Sequence, residues 1–350
     1  MANVLLKHLL SYGSAGNAGL VVADAAALSA YGSEMVRGVC TDWSGNVYLT
    51  DEAKHIIVKV TEGGQVSLFA GIANTSGLTN GARGVAKFNA PTGITCDRSG
   101  NLYVADTGNN QIRKLDPNGN TCLLAGDDAG ASGRANGANV TVATFNAPMD
   151  VTVDCSGNVY VADTGNNNIR MINATTTYGV AGDLGGAAGD VLGQGLVARF
   201  DHPMGISCDR SGKMFVSDTG NKKIKAIRND YTVFGIVGPT FRTGDNFHVL
   251  EYIEVDNSGF IYVVDYNDAT DLSRLIKMGQ DGQESTMEII VEPDVTKIGI
   301  AVSPNQTLYV TQSEAELESW SSSSSSVSSS VSSISSPSSS SVSSVSSVSR

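Results

Sequence analysis

The sequence has few charged, aromatic or proline residues, and it has no long apolar run. Of its 350 residues, 17% are charged and 6% are aromatic, and there are 8 prolines against 39 glycines. Glycine-rich chains with so little charge have many turns rather than long surface helices. No segment approaches the roughly 18 consecutive apolar residues that a transmembrane helix requires. These features exclude an ordinary helical enzyme and predict no membrane insertion.

Cysteine and histidine are too sparse to organise the chain. The five cysteines are an odd number without a Cys-x-x-Cys pair, and the four histidines show no metal-ligand spacing. A disulfide framework and a closed zinc site both need more regular patterns. We therefore expect buried, reduced thiols that act as small hydrophobic residues, and no cofactor.

Positive charge is also scarce. Lys and Arg number 23 against 35 Asp and Glu, which gives a formal net charge of −12 and a pI near 4.7. Such a chain repels phosphate backbones, so no nucleic-acid partner is expected. The small basic groups Arg113-Lys114 and Lys222-Lys223-Ile-Lys225 alternate along strand-like segments and are predicted to be solvated faces.

A repeat of about 50 residues organises most of the chain, as in repeat architectures generally. Complete copies run over 88–112, 145–169 and 200–224, and weaker copies over 39–58, 253–277 and 298–311. Each copy contains short apolar segments separated by turns such as Asp97-Arg-Ser-Gly-Asn101 and Asp106-Thr-Gly-Asn-Asn110. Four such strands and a long crossing form one blade of a β-propeller. The predicted fold is all-β: a six-bladed propeller of four-stranded antiparallel blades.

The two ends of the repeat region predict how the ring closes. The last copy lacks an outer strand, whereas Leu9-Leu-Ser-Tyr-Gly-Ser-Ala-Gly16 matches the outer strand and crossing at Leu123-Leu-Ala-Gly-Asp-Asp-Ala-Gly130. We therefore expect an N-terminal strand to complete the sixth blade. The domain division is a propeller over 1–320 and a Ser/Val tail over 321–350.

The repeat resembles the NHL family. The complete copy at 88–112 reads Phe-Asn-x-Pro-x-Gly-Ile and then Asp-x-Ser-Gly-Asn-x-Tyr-Val-Ala-Asp-Thr-Gly-Asn-x-x-Ile, and the copies at 145–169 and 200–224 are similar to it with a few substitutions. Crossings such as 80–88 and 193–200 also match bacterial members. Blades five and six depart from the pattern, because Asp265-Tyr-Asn-Asp268 replaces the Asp-Thr-Gly-Asn turn and Asn305-Gln306 replaces Gly-Asn. The resemblance implies the propeller fold over about residues 9–312. Related lyases and lactonases suggest an enzyme that uses the central channel and a metal.

The tail has a composition of its own. Residues 321–350 include 22 serines with single apolar residues between them. This segment cannot bury enough apolar surface to fold by itself. It is interpreted as a flexible linker, as an extended chain with one apolar stripe, or as a stalk of O-glycan acceptors. The candidate assembly residues are Val4, Leu5, Leu6, Leu9 and Leu10 at the N-terminus and Val327, Val331, Val342, Val345 and Val348 in the tail.

One set of aspartates falls at the end of the second strand in successive copies. Five such carboxylates on one ring could attract a cation, and the candidates are Asp106, Asp163, Asp218 and Asp265, with Asp51 in the first copy. The favoured alternative is that each carboxylate accepts hydrogen bonds from the backbone amides of its own Thr-Gly-Asn turn.

The function predicted from these observations is a non-enzymatic propeller that serves as a structural or interaction module. We expect protein neighbours in a homo- or hetero-assembly and a protein- or carbohydrate-binding role. The protein would then be a virion or fibre component, or a subunit of a surface filament. Such a protein is first cytoplasmic and becomes extracellular without a signal peptide. The alternative is a metal-dependent propeller enzyme of the lyase or lactonase type.

Overall fold

The computed structural model describes residues 10–12, 18–20, 36–140, 142–236, 247–267, 272–280, 284–291, 299–303 and 308–310. Its regular elements are β-strands and four single 3₁₀ turns, at Thr107–Asn109, Thr164–Asn166, Gly195–Val197 and Thr219–Asn221. None of the helical segments in these described ranges is long or apolar enough to cross a membrane.

Five four-stranded antiparallel sheets form five blades, each consecutive in the chain. Blade 1 consists of β3 (Val36–Thr41), β4 (Val47–Asp51), β5 (Ile56–Val60) and β6 (Val66–Gly71). Blade 2 consists of β7 (Pro91–Cys96), β8 (Leu102–Asp106), β9 (Gln111–Leu115) and β10 (Thr121–Ala125). Blade 3 consists of β12 (Pro148–Val153), β13 (Val159–Asp163), β14 (Asn168–Ile172) and β15 (Thr176–Ala181), with β11 (Gly137–Ala138) at its outer edge.

Blades 4 and 5 continue the same order. Blade 4 consists of β17 (Pro203–Cys208), β18 (Met214–Asp218), β19 (Lys223–Ile227) and β20 (Thr232–Ile236), with β16 (Gly193–Gln194) outside. Blade 5 consists of β21 (Val249–Val255), β22 (Ile261–Asn267), β23 (Leu272–Met278) and β24 (Glu284–Val291). Two two-stranded sheets remain, formed by β1 (Leu10–Tyr12) with β2 (Ala18–Leu20) and by β25 (Ile300–Val302) with β26 (Leu308–Val310).

The first turn of each blade is built by its aspartate. In blade 2, Asp97 Oδ1 accepts hydrogen bonds from the backbone N–H groups of Ser99 (2.8 Å) and Asn101 (2.9 Å). Its Oδ2 accepts from the Asn101 amide at 2.8 Å and from the Tyr103 hydroxyl at 3.1 Å. Gly100 has φ +79°, a conformation that glycine adopts without steric cost. The Asp-x-Ser-Gly-Asn string is therefore an Asx turn that joins the first two strands.

The first strands of the blades form the wall of a central channel. β3, β7, β12, β17 and β21 lie side by side in that order, and β25 lies between β21 and β3. Each of the six junctions between neighbouring sheets contains a separate cluster of buried apolar side chains. A blade has two apolar faces, and stacking around the ring covers both of them.

The predicted number of four-stranded blades is wrong: the described residues form five, not six. The sixth sector of the ring holds the two-stranded sheet β25–β26, whose Ala301 and Tyr309 pack into the cluster of blade 1. Tyr309 and Ala301 keep the apolar alternation of the repeat, whereas beyond residue 310 the chain becomes polar and rich in serine. The described part of the sixth copy therefore has the apolar pattern of the first two strands of a blade.

The predicted N-terminal closing strand has a different partner in the described residues. β1 lies near β26, but it pairs in antiparallel register with β2, from Leu10 opposite Leu20 to Tyr12 opposite Ala18. A hairpin with a short loop closes at a smaller entropic cost than a pairing across the whole chain. The other N-terminal candidates, Val4, Leu5, Leu6 and Leu9, and the whole tail lie outside the described residues, as does the predicted boundary at residue 320.

Candidate functional site

The aspartates proposed as a cation ring lie separately inside their own blades. Asp106, Asp163, Asp218 and Asp265 are fully buried, and each has a basic partner from the third strand of the same blade. In the described parts of the chain, no group of three His, Cys, Asp or Glu side chains is placed to hold a metal ion. The structure therefore does not bring these carboxylates together.

Asp106 illustrates the arrangement. Its carboxylate accepts hydrogen bonds from Arg113 Nη1 (2.8 Å), the Asn109 amide (2.8 Å) and the backbone N–H of Asn89 (2.7 Å). Burial raises the pKa of Asp106 to about 6, although the Arg113 guanidinium and these hydrogen bonds oppose the increase. The guanidinium also lies over the ring of Phe88, 5.2 Å from its centroid. The carboxylate therefore has a structural role, but its donors differ from the predicted ones: the turn contributes the Asn109 side chain, and the backbone N–H comes from Asn89 of the preceding crossing.

That buried partner was predicted incorrectly from sequence. Arg113 and Lys225 were expected to be solvated, but both side chains are fully buried and paired with aspartates. The available signal was the position: in three copies a basic residue follows the aspartate by seven, as in Asp163 and Arg170. A basic residue that recurs at the same position of the repeat indicates a structural role. This signal is stronger than the alternation of residues along the strand, which suggests exposure to solvent.

The histidines do not converge either. His55 Nδ1 accepts a hydrogen bond from the backbone N–H of Ala90 at 2.9 Å, which links blade 1 to the crossing before blade 2. His248 lies 3.5 Å from Asp265 Oδ2, and His202 contacts Asp201 on the surface. The described histidines therefore belong to three different blades: His55 lies in the turn between β4 and β5, and His202 and His248 directly precede β17 and β21.

The variable residues of the five Asx turns come together at one mouth of the channel. In every blade the turn reads Asp-x-Ser-Gly, and the residue x lines a single basin of about 360 Å³. The five residues at this position are Trp43, Arg98, Cys155, Arg210 and Asn257. They are exposed, and the indole of Trp43 retains 57% of its accessible surface. We call this set the rim.

The rim has two cations, Arg98 and Arg210, and the turn carboxylates of Asp97, Asp154 and Asp209 line the same basin. Each of these aspartates accepts hydrogen bonds from its own turn, as described for Asp97, and Asp209 also accepts one from the Gln280 amide at 3.2 Å. The guanidinium of Arg98 lies 5.9 Å from the centre of the Trp43 ring. In the described residues neither Arg98 nor Arg210 forms an ion pair through its guanidinium. Among the described residues, the rim thus offers one aromatic face and two cations without an ion pair to a ligand from solvent.

Behind the rim the channel narrows to a cavity of about 190 Å³ lined by the first strands. Four residues before each turn aspartate, blades 1, 2 and 4 have glycine: Gly38, Gly93 and Gly205. A Cβ at Gly93 would collide with Asp150 Oδ1, so this glycine makes room for a carboxylate. Asp150 and Tyr252 occupy the equivalent positions in blades 3 and 5.

A second carboxylate, Glu254, also lines this cavity. Burial raises the pKa of Asp150 to about 7, despite hydrogen bonds from the backbone N–H groups of Ile206 and Val151. Burial raises the pKa of Glu254 to about 8; the Ser207 hydroxyl opposes this increase and the neighbouring Asp150 adds to it. Sequence reasoning missed both residues. In the sequence both residues depart from the repeat, because each is a carboxylate where other blades have glycine or a small polar residue.

The thiols only partly follow the prediction. All five cysteines are free; Cys40 is buried, Cys96 and Cys208 are half-buried, and Cys122 and Cys155 are exposed. Burial raises the pKa of the Cys96 and Cys208 thiols to about 12. These two channel thiols are therefore protonated and inert, as expected for small hydrophobic residues.

Comparison with known proteins supports the repeat assignment. A family model described as the teneurin NHL domain matches residues 37–173. NHL repeat-containing protein 2 of Gallus gallus is 39% identical over 103 residues, which is 29% of this chain and 14% of that protein. The alignment thus spans a small part of the relative's length.

Solved structures share the fold at low identity. A gluconolactonase from Xanthomonas campestris is 14% identical with a TM-score of 0.52, and the match covers 80% of this chain and 86% of that one. A chain of a nidogen/laminin complex is 17% identical with the same TM-score of 0.52, covering 81% and 87%. An enzyme and a protein complex therefore fit the same architecture, and the likeness indicates the fold alone.

Proposed function

The chain belongs to the NHL-repeat β-propeller family, and on that basis we propose that it is a non-enzymatic interaction propeller that binds its partner at the rim. The observation that carries the proposal is the convergence of the variable turn residues. The Asp-x-Ser-Gly scaffold is the same in all five blades, and the one position that differs faces a common basin. Variation confined to one concave surface of a rigid scaffold is typical of a binding site.

The chemistry of the rim favours an acidic carbohydrate. The exposed Trp43 indole gives a flat apolar face with a polar N–H at its edge, which suits the faces of a sugar ring. Arg98 and Arg210 supply guanidinium groups that bind carboxylate or sulfate in a planar, two-point geometry. A net charge of −12 on the whole chain discourages acidic ligands elsewhere, so binding would concentrate at the rim.

A glycan array that includes neutral, uronic-acid-bearing and sulfated oligosaccharides tests this proposal. We expect wild-type protein to bind acidic glycans, with affinity that weakens as salt rises. Trp43→Ala and the pair Arg98→Ser/Arg210→Ser should each lose roughly tenfold or more, as expected for central anchors of an interface.

Arg134→Ser is the matched control, because it removes an exposed arginine from a crossing away from the rim. Its binding should equal that of the wild type. Equal binding by all of these variants, or preference for neutral glycans without dependence on the arginines, would contradict the rim assignment.

A second observation favours a role in assembly with protein neighbours. The crossing into blade 4 exposes Leu192, Leu196 and Val197 at 51%, 45% and 67% of their surfaces. Leu184 and Leu196 both lie over Gly179 of the outer strand β15. A group of exposed apolar side chains on one crossing marks a protein contact surface. The terminal assembly residues and an extracellular location remain parts of this proposal.

The alternative of a metal-dependent lyase or lactonase has weaker support. The likeness to a gluconolactonase lies at 14% identity, and the described histidines and carboxylates are not grouped as metal ligands. A nucleophile–base pair was not visible in the sequence. That the protein has no enzymatic activity stays a prediction, which turnover assays with lactones would test.

A further inference from the structure

Two carboxylates in the channel, Asp150 and Glu254, differ from the buried aspartates that end the second strands of blades 2 to 5. Asp106, Asp163, Asp218 and Asp265 each pair with an arginine or lysine. In the described residues Asp150 and Glu254 form no ion pair. A buried carboxylate without a cation is costly, so this cavity favours the arrival of positive charge.

The blade architecture does not require either carboxylate. At the position of Asp150, blades 1, 2 and 4 have glycine, and at the position of Glu254, blades 2, 3 and 4 have Thr95, Thr152 and Ser207. Each of these blades folds with the smaller residue. The two carboxylates are therefore additions to the repeat, and both line the same cavity.

An independent observation points to a ligand in this cavity. Tyr252 is 8% exposed and lines the cavity, and its buried hydroxyl has no hydrogen-bond partner. Nearly all buried polar groups in native proteins are hydrogen-bonded. This hydroxyl can accept a hydrogen bond from a bound donor.

The charged groups around the pair leave its charge uncompensated. The Arg37 guanidinium lies close enough to the Tyr252 hydroxyl to oppose the increase in its pKa that burial causes, without a hydrogen bond of normal geometry, and Arg37 Nε bonds Glu52 at 2.6 Å. Arg37 does not line the cavity. Glu251 lies beside the same tyrosine and adds negative charge. The other titratable groups at the cavity are the protonated thiols of Cys40, Cys96 and Cys208 and the nearby turn carboxylate of Asp256.

We propose that the channel binds an organic cation, a protonated primary amine, between the carboxylates of Asp150 and Glu254 and the hydroxyl of Tyr252. An ammonium group has three N–H donors and no acceptor, which matches two carboxylates and one hydroxyl oxygen. A metal ion fits less well, since the described residues place no three His, Cys, Asp or Glu ligands together. The cavity of about 190 Å³ opens to the rim through Cys96, Cys208 and Asn257, which line both spaces.

The first probe is n-butylammonium chloride, titrated calorimetrically into the purified full chain at about pH 8.5, where both carboxylates are largely ionised. We expect saturable binding that weakens as the pH falls through the pKa values of about 7 and 8, because protonated carboxyls no longer attract the cation. Glu254→Gln and Asp150→Gly should each weaken binding roughly tenfold or more, since each removes one charged hydrogen bond.

Glu62→Gln, which makes the same carboxyl-to-amide change on an exposed turn, is the matched control and should bind as the wild type does. If Glu254→Gln does not fold, Glu254→Thr restores the residue of blades 2 and 3 and serves in its place. Arg98→Ser, a rim residue that does not line this cavity, should leave amine binding unchanged, which separates this site from the rim.

Three results would overturn the proposal. Heat of dilution without saturation would show that no amine site exists. Equal binding of butyltrimethylammonium, which has no N–H donor, would show that the hydrogen bonds are not used. Saturable binding of calcium chloride that Glu254→Gln removes, without binding of butylammonium, would assign the carboxylates to a metal.

Discussion

At the scale of single residues, the blades are held by a buried ionic unit that recurs with the repeat. An aspartate at the end of the second strand bonds a basic residue of the third strand, which lies over a phenylalanine from the preceding crossing. In blade 3 the distance from Arg170 Nη1 to Asp163 Oδ2 is 3.1 Å, and the guanidinium carbon is 5.2 Å from the Phe145 ring centre. The unit ties strand and crossing together where the blade meets its neighbour.

Removing the basic partner should therefore be costly. In Arg113→Ala we expect the free energy of unfolding to fall by about 3–5 kcal/mol, because the carboxylate of Asp106 is left buried without its cation. Denaturant unfolding measures the change. Lys114→Ala is the control: this neighbour is half-buried over Tyr103, and its loss should cost about 1 kcal/mol or less.

A compensating change checks the cause. Asp106→Asn together with Arg113→Met removes both charges at once, and should recover part of the stability that Arg113→Ala loses. Equal losses in Arg113→Ala and Lys114→Ala, or no recovery in the double variant, would argue that packing rather than charge accounts for the effect.

At the scale of the structural element, the Asx turn explains why the first two strands of each blade pair in fixed register. Asp256 repeats the contacts of Asp97, accepting from the backbone N–H groups of Ser258 (2.8 Å) and Phe260 (2.9 Å) and from the Tyr262 hydroxyl (3.1 Å). Blade 5 keeps this turn although its second turn departs from the repeat. The variable rim residue is the second residue of this five-residue turn. The turn therefore serves both the pairing of the strands and the proposed recognition.

Asp97→Ala should destabilise blade 2 by about 1–3 kcal/mol at neutral pH, because it leaves several turn hydrogen bonds unmade. Burial opposes ionisation of Asp97, but hydrogen bonds from Asn101 and Tyr103 outweigh it and hold the pKa below its ordinary value. A folded-state pKa below the unfolded value gives stability that is present above the unfolded pKa and is lost as the pH falls through the folded one.

The difference between wild type and Asp97→Ala should therefore be constant from about pH 5 to 8 and shrink below about pH 4. Thermal unfolding across this range measures it. Asp128→Ala, an exposed position on a crossing, is the control and should have little effect. A difference that stays constant into acid would mean that the carboxylate charge does not contribute.

At the scale of the whole molecule, the ring has six inner strands but five complete blades among the described residues. The sixth sector contributes β25 and β26, and apolar clusters join it to blade 1 and to blade 5. In the described part of the chain this sector has two strands where a blade has four, so among these residues β26 presents a sheet edge. Such an edge accepts a strand from another segment or another chain.

Assembly can be tested on the same scale by light scattering after size-exclusion chromatography. We expect the full chain to form higher-order species, and both Leu192→Ser/Val197→Ser and a chain ending at Trp320 to form smaller ones. The reason is that serine removes the apolar contact area of the crossing, while the shortened chain lacks the tail residues Val327 to Val348.

Val85→Ser is the matched control, because Val85 is also exposed, at 52%, but lies on the crossing into blade 2. It should assemble as the full chain does. A full chain that is monomeric at all concentrations would contradict the assembly proposal and leave binding at the rim as the function to pursue.

The features that were predictable from sequence are local ones. The repeat, the four-stranded blade and the first turn all follow from short patterns such as Asp97-Arg-Ser-Gly-Asn101, in which side chain and backbone bond within five residues. Alternation of apolar and polar residues identifies the strands for the same reason, since each depends on its immediate neighbours in the chain. The propeller could therefore be inferred without any knowledge of contacts between blades.

The features that required the tertiary structure depend on residues far apart in sequence. Arg113 resembles a surface residue until Asp106 and Phe88 are placed around it, and Asp150 and Glu254 belong to different blades that meet only across the channel. The sixth sector is a similar case, because the weak last copy of the repeat does not show which segments of the chain its strands will pair with. Burial and charge are properties of the assembled ring, and so the candidate sites became visible only there.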